Sequence, residues 1–375
     1  MYEFGGDLSG PTLIVFGSVH GNEASGARAI DRAIPKLRAL EPKLKGRVFL
    51  LAGNTRAYGR GIRFIDSDLN RHFTRERIAA NRKAVGPLNE DSEQAEILII
   101  LDRVVNSAKG EVYAMDFHST SAEGVPFATV GDTLRNRTFA QKFPVTILLG
   151  VEEQLEGTIL EYLNNLGLVT FGYEAGQHFA ESTVDNHEAL IWLGLVNAGI
   201  LRREDCAAFD QHFNALKTAT SRPRVVEVRY RHAITAEDDF SMIPGFDNFQ
   251  PIKKGQLLAE QRSGEVRASE SGLMLMPLYQ KLGEDGFFIA REIAPVWLKL
   301  SWYLRKLKLG NLVRILPGVR RTDQDPDIWE IDTRIARFFP LQIFHLLGFR
   351  KRRWQNDRLI VSRRKFDTES PFSDF

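Results

Sequence analysis

The sequence predicts an α/β fold: a mostly parallel mixed sheet flanked by helices, followed by a small all-β unit and a basic C-terminal extension. Three observations carry this. Over about the first 200 residues, short apolar runs alternate with stretches of helical period, as strands joined by crossover helices do. From about Arg224 the helical period stops, and short apolar runs are punctuated by Pro244-Gly245, Lys254-Gly255, Ser263-Gly264, Ser271-Gly272 and Asp285-Gly286. Charge is also uneven: residues 291–375 carry 18 Lys and Arg against 10 Asp and Glu, although the 375-residue chain has a net charge of only +2. The expected units are residues 1–217, 224–291 and 292–375, with a linker at 218–223.

Residues 11–16 (Leu13-Ile14-Val15-Phe16 at their heart) read as a buried strand, and 24–40 as the helix after it. Residues 46–54 form the next strand, closed by Gly53 and Asn54. Residues 55–73 show neither period and are expected to form an ordered loop. A helix begins near Ser92 and runs over 93–108, with Ala95, Leu98, Ile99, Leu101, Val104 and Val105 as its apolar positions. Strands are expected at 111–116, 126–130, 145–150 and 168–174, with helices near 132–142 and over 184–199. Residues 225–232 alternate like a half-buried strand.

Composition excludes several functions. The chain can bury a large core, and a net charge of +2 argues against a nucleic-acid binder. A single cysteine, Cys206, rules out an internal disulfide or a cysteine-rich metal site, and it reads as an inert structural thiol. No basic and apolar leader and no uncharged 18-residue run is visible, so neither a signal peptide nor a membrane-spanning helix is expected. The expected localisation is cytoplasmic.

Chemistry gathers where the strands end. Gly17-Ser18-Val19-His20-Gly21-Asn22-Glu23 leaves the first strand, Asp116-Phe117-His118 ends another, and Glu174 ends a third. Open α/β sheets place their sites at the carboxyl ends of strands. If these strands are neighbours, His20, Glu23 and His118 make a two-histidine, one-carboxylate site with a position left for water. Glu174 would stand beside it as a proton carrier, and Asp116, on the same strand face as His118, could orient that histidine. Arg63 and Arg71 flank an Asp/Asn-rich cluster, and an arginine fork suits a carboxylate. His178 reads as a residue at the rim of the cleft and His187 as one on a helix face. Each of these residues has a plain structural reading alone; their joint order at strand ends does not.

Five stretches in order, Gly17-Ser18-Val19-His20-Gly21-Asn22-Glu23, Gly53-Asn54-Thr55-Arg56-Ala57, Arg63-Phe64-Ile65-Asp66-Ser67-Asp68-Leu69-Asn70-Arg71, Asp116-Phe117-His118-Ser119-Thr120 and Glu174-Ala175-Gly176, resemble the succinylglutamate desuccinylase/aspartoacylase family, relatives of the zinc carboxypeptidases. The resemblance implies a carboxypeptidase-like sheet and one zinc per chain on His20, Glu23 and His118. It implies Glu174 as general base and acid, Arg63 polarising the scissile carbonyl, and Asn70 with Arg71 holding a substrate carboxylate. It also likens the β-rich stretch to the family's barrel-sandwich-like C-terminal domain, here without a lysine to carry a lipoyl group. The implied activity is that of a zinc-dependent amidohydrolase, a deacylase of a small N-acyl amino acid or related carboxylate-bearing substrate. The alternatives are a carboxypeptidase-type metallopeptidase, or a non-catalytic binding or scaffold protein.

Two features depart from that pattern. Between Glu152 and Glu174 no arginine is present to grip a second carboxylate, which argues against N-acetylaspartate and N-succinylglutamate as substrates. The basic extension is the other. Its residues 295–309 place Val296, Trp297, Leu300, Tyr303, Leu304 and Leu307 at helical spacing, with Lys299, Arg305, Lys306 and Lys308 mostly on the other side. An apolar run over 338–347 leads into Phe349 to Trp354, and a turn at 355–357 leads into 358–365. Packing on the body or on a second subunit is the expected role; peripheral contact with an anionic membrane surface is the alternative. Nucleic acid is not expected, because aromatic and cationic residues are not interleaved.

Overall fold

A computed structural model describes residues 1–7, 9–221, 224–280, 283–322, 327–332, 334, 341–355 and 358–372. The first part gives β1 (Tyr2–Phe4), β2 (Thr12–Gly17), α1 (Ser25–Leu40), β3 (Arg47–Ala52), α2 (Thr55–Arg60), α3 (Arg75–Lys83), α4 (Asn89–Ser107), β4 (Val112–Thr120), β5 (Phe127–Val130), α5 (Leu134–Ala140), β6 (Thr146–Leu149), α6 (Ile159–Asn165), β7 (Val169–Gln177), α7 (Glu181–Asn197) and α8 (Phe209–Thr220). There follow β8 (Val225–Ala233), β9 (Ser241–Met242), β10 (Pro251–Ile252), β11 (Leu257–Gln261), β12 (Gly264–Arg267), β13 (Gly272–Leu275) and β14 (Asp285–Glu292). The extension holds α9 (Pro295–Lys306), β15 (Val319–Arg321), β16 (Ile328–Asp332), α10 (Leu341–Leu346), β17 (Phe349–Gln355) and β18 (Arg358–Arg363).

The expected mixed sheet is there. Eleven strands run in the order β1-β3-β2-β4-β7-β5-β6-β8-β14-β13-β10. Five of the six pairings from β3 across to β8 are parallel, and only β5 against β7 reverses, so the sheet is mostly parallel where the site residues lie. Beyond β8 the same sheet continues antiparallel through β14, β13 and β10. Two smaller antiparallel sheets stand apart, β12-β11-β9 and β15-β16-β18-β17.

Both faces of the parallel part are buried because its strands are apolar on both sides. Leu13, Val15, Met115 and Phe117 point to one core with residues of α1 and α7; Ile14, Phe16, Val112 and Ala114 point to the other with α4 and α6. Gly26 of α1 packs so closely on β4 that an added Cβ would stand 2.9 Å from that of Phe117.

Several elements differ from their sequence-based expectation. Residues 55–73 are partly helical: the Asn54 side chain accepts from the Ala57 N–H at 3.1 Å to cap α2, and Gly61, with φ +64°, ends it. Helix α4 starts at Asn89, three residues early, because the Asp91 carboxylate accepts from the Leu88 N–H at 3.2 Å. Helices α3, α6 and α8 have no counterpart in the expected order. Residues 222–223 of the linker and, in the extension, 338–340 of the apolar run and 356–357 of the turn lie outside the described residues. Strands β17 and β18 pair across that turn as a hairpin.

The extension is anchored by buried charges. The wholly buried Arg305 donates to the Asp132 backbone carbonyl at 2.6 Å and to Asp367 Oδ2 at 2.9 Å. Arg364 donates to Glu152 and, at 3.1 Å, to Glu153 Oε1.

Candidate active site

Strands β2, β4 and β7 lie side by side and parallel, so their carboxyl ends share one rim of the sheet. The register sets Gly17 opposite Phe117 and His118 opposite Glu174. After β2 the chain turns through Ser18 at φ +58°, and the Ser18 hydroxyl donates to the Glu23 carbonyl at 3.1 Å. Gly21 is pressed so tightly that a Cβ there would come within 2.3 Å of the Ala57 carbonyl carbon. Only glycine fits that close approach, and with it His20 and Glu23 face the same point.

Glu23 joins the two histidines. Its Oε1 is 2.9 Å from His20 Nδ1, and its Oε2 is 3.1 Å from His118 Nδ1 and accepts from the Ser119 N–H at 3.0 Å. The far nitrogens are held too: His20 Nε2 lies 3.1 Å from Asp68 Oδ1, and His118 Nε2 lies 2.8 Å from Asp116 Oδ2. All five side chains are buried. One ligand atom from each of His20, Glu23 and His118 falls within 4.8 Å of the others, the only such group among the described residues. A carboxylate behind each histidine is the usual support of a metal-ligating imidazole. The donor set therefore fits a divalent metal of the zinc type.

Electrostatics follows from this crowding. Burial works against a charged Glu23, yet His20 and His118 hold its carboxyl well below the usual range. Burial also opposes a charged His118, but Asp116 and Glu23 hold its imidazole well above the usual histidine range. Glu174 differs. Its Oε2 is buried without a hydrogen-bond partner, and burial pushes its carboxyl up to about 8, with His118 pulling the other way. Arg63 reaches both carboxylates, its Nη1 donating to Glu23 at 3.3 Å and its Nη2 to Asp68 at 3.0 Å. Burial opposes its charge, but Asp68 and Glu23 raise its pKa.

A cavity of about 180 Å³ opens over these residues and is also lined by Asn70, Arg71 and Glu174. All seven site residues named from the sequence therefore border one space. Asn70 Oδ1 accepts from the Ile159 N–H at 2.9 Å, which leaves the amide nitrogen as its donor. Arg71 is held by Asp285 at 3.2 Å and Glu284 at 3.4 Å, from the segment entering β14. His178 sits at the rim, bonded to Ser119 Oγ at 2.8 Å. His187 is wholly buried on α7, its ring stacked at 4.5 Å on Phe117.

Two contributors escape sequence reasoning. Asp68 bonds His20 and Arg63, and its only signal was a place in the Asp/Asn-rich cluster. Arg350, from β17 of the extension, lines the same cavity, where its Nη1 donates to Glu161 at 3.2 Å and its Nη2 to Asn165 at 3.4 Å. No local pattern marks it.

The profile of the succinylglutamate desuccinylase/aspartoacylase catalytic domain matches residues 9–191. The chain is 24% identical over 283 residues to a succinylglutamate desuccinylase of Pseudoalteromonas atlantica, covering 70% of this chain and 76% of that one. It is 24% identical over 288 residues to a probable aspartoacylase of Prochlorococcus marinus, covering 73% of this chain and 89% of that one. A solved succinylglutamate desuccinylase/aspartoacylase structure from Rhodobacter sphaeroides superposes with a TM-score of 0.57 at 17% identity, over 77% of this chain and 87% of that one, so the fold is shared. Motifs, profile and fold agree: residues 9–191 form a catalytic domain of the succinylglutamate desuccinylase/aspartoacylase type.

Proposed function

We propose that the protein is a zinc-dependent deacylase that hydrolyses the amide bond of a small N-acyl amino acid. The observation that carries this is the convergence of His20, Glu23 and His118 at 4.8 Å, with Glu174 opposite His118, over one cavity. Relatives bearing deacylase names support the reaction class.

His20, Glu23 and His118 would hold the zinc, one ion per chain. When bound, zinc polarises the acyl carbonyl and acidifies water, and its charge favours an ionised Glu174. Everything else is the work of side chains. The Glu174 carboxylate takes a proton from the attacking water and returns it to the leaving amine nitrogen. A carboxyl poised near neutral pH suits both transfers. The Arg63 guanidinium donates to the oxygen that gains charge as the carbonyl is attacked. The Asn70 amide nitrogen and the Arg71 fork hold the amino acid's carboxylate and so fix the scissile bond against Glu174. Asp68 and Asp116 keep the imidazole rings in orientation.

The test is elemental analysis of the purified protein, then turnover of a panel of N-acyl amino acids beside short peptides with free C-termini. About one zinc per chain and turnover of the N-acyl amino acids alone is the expected result. Cleavage of the peptides alone would assign a carboxypeptidase instead. Turnover of neither by the zinc-loaded protein would overturn the reading.

A further inference from the structure

Helix α9 is turned the wrong way for a helix that serves only as packing. At 100° per residue, Val296, Leu300, Tyr303 and Leu307 fall within about 60° of one another. In a soluble protein such a stripe is expected to face the core. Here it faces out: Val296, Trp297, Tyr303 and Leu307 are each more than half exposed. The inward side is mixed: Leu298 packs on the main core, the Ser301 hydroxyl donates to the Leu346 carbonyl at 3.0 Å, and Arg305 joins Asp132 and Asp367. The apolar face continues past the helix through Leu312 and Ile315. Of the fifteen large apolar side chains exposed among the described residues, eight lie between positions 296 and 315, so exposed apolar surface is concentrated in this segment.

Charge says what the patch fits. Residues 293–322 contain seven Lys and Arg and not one Asp or Glu. Six of the seven are exposed; the exception is Arg305. Lys299 and Lys306 share one flank of the outward stripe by the same 100° rotation. Glu369 pairs with Lys308 at 2.8 Å, which leaves the other five exposed cations of this acid-free segment to set its charge, and a protein partner of ordinary composition gives no reason for such a segment. An anionic bilayer does: it takes aromatic and aliphatic side chains into the headgroup boundary and draws lysines to its surface. Trp297, Trp302 and Tyr303 are the residue types that settle at that boundary. No described helix is long and apolar enough to cross a membrane, so the contact would be peripheral.

We propose that the outward face of α9 and the turn after it form a docking surface for the anionic headgroup region of a lipid bilayer. This inference is independent of the deacylase reading, and its test needs no turnover. The full-length protein is sedimented with phosphatidylcholine vesicles made with and without phosphatidylglycerol, and tryptophan emission is recorded. The expected result is binding to the anionic vesicles only, with emission shifted to the blue and binding lost as salt rises. The double variant W297S/Y303S should lose binding. K299Q/K306Q should weaken it by about fivefold for each lysine removed. All four side chains face water, so the variants should melt with the wild type. Failure to sediment with anionic vesicles overturns the proposal, as does binding that survives in W297S/Y303S. So does a concentration-dependent dimer that L300D abolishes, without vesicle binding, since the occupant is then a second copy.

Discussion

Glu23 touches both histidines at once, so the site stands or falls with three side chains and not with a diffuse acidic pocket. Replacing His118 with Ala removes one of the three proposed ligands and leaves Asp116 buried without its partner. The expected outcome is loss of nearly all bound zinc and all activity; a fully loaded His118→Ala protein would discard the ligand assignment. Glu174→Gln is different in kind. It should keep the metal yet lose turnover by about 10²–10⁴-fold for each proton transfer it serves. Near-normal kcat in that variant would move the base elsewhere. These residues were legible because each sits where a strand ends, and the ends of parallel neighbours must converge. Asp68 was visible only as one acid in a cluster without period, and nothing local told which partner it would take. Arg350 was not legible at all, since its approach to the cavity depends on how the extension folds back.

The strands of the parallel sheet were readable because burial on both faces makes them continuous apolar runs, as in β2 and β3. The helices between them were readable where the amphipathic stripe is long, as in α1 and α4. Short helices were readable unevenly: the seven-residue α5 was expected near 132–142, but α6 was not. Helix α6 has only seven residues and buries only Ile159 and Leu163, too few to establish a period. Yet α6 shapes the cavity: its first amide is held by Asn70, and its Glu161 and Asn165 meet Arg350. Replacing Arg350 with Met should therefore loosen the substrate wall while sparing the reacting groups. The expected signature is KM raised roughly tenfold with kcat little changed, in line with losing a hydrogen bond to a charged group. A kcat loss at unchanged KM would instead tie Arg350 to the transition state.

At the scale of the molecule, the extension is joined to the body by buried charge as well as by apolar contacts of Leu298 and Phe372. Asp132 sits at the join, paired with Arg137 and Arg305 and within 3.8 Å of Arg364. Burial alone would raise its pKa, yet the three arginines hold the carboxyl far below the usual aspartate range. A carboxyl whose folded pKa is depressed contributes stability that is present above its unfolded pKa and lost as pH falls through the folded value. The join should therefore keep its full strength down to about pH 4, the ordinary aspartate value, and weaken only in stronger acid. Asp132→Asn removes the charge but keeps the shape, leaving buried arginines short of a counter-ion. Breaking such a cluster costs about 3–5 kcal/mol. For a chain of this size that lowers Tm by roughly 5 °C. The gap between variant and wild type should stay constant from neutral pH to about pH 4 and shrink only below it. Melting curves across pH check both statements. An unchanged Tm, or a gap that closes already near pH 6, would mean that apolar packing and not this cluster holds the extension in place.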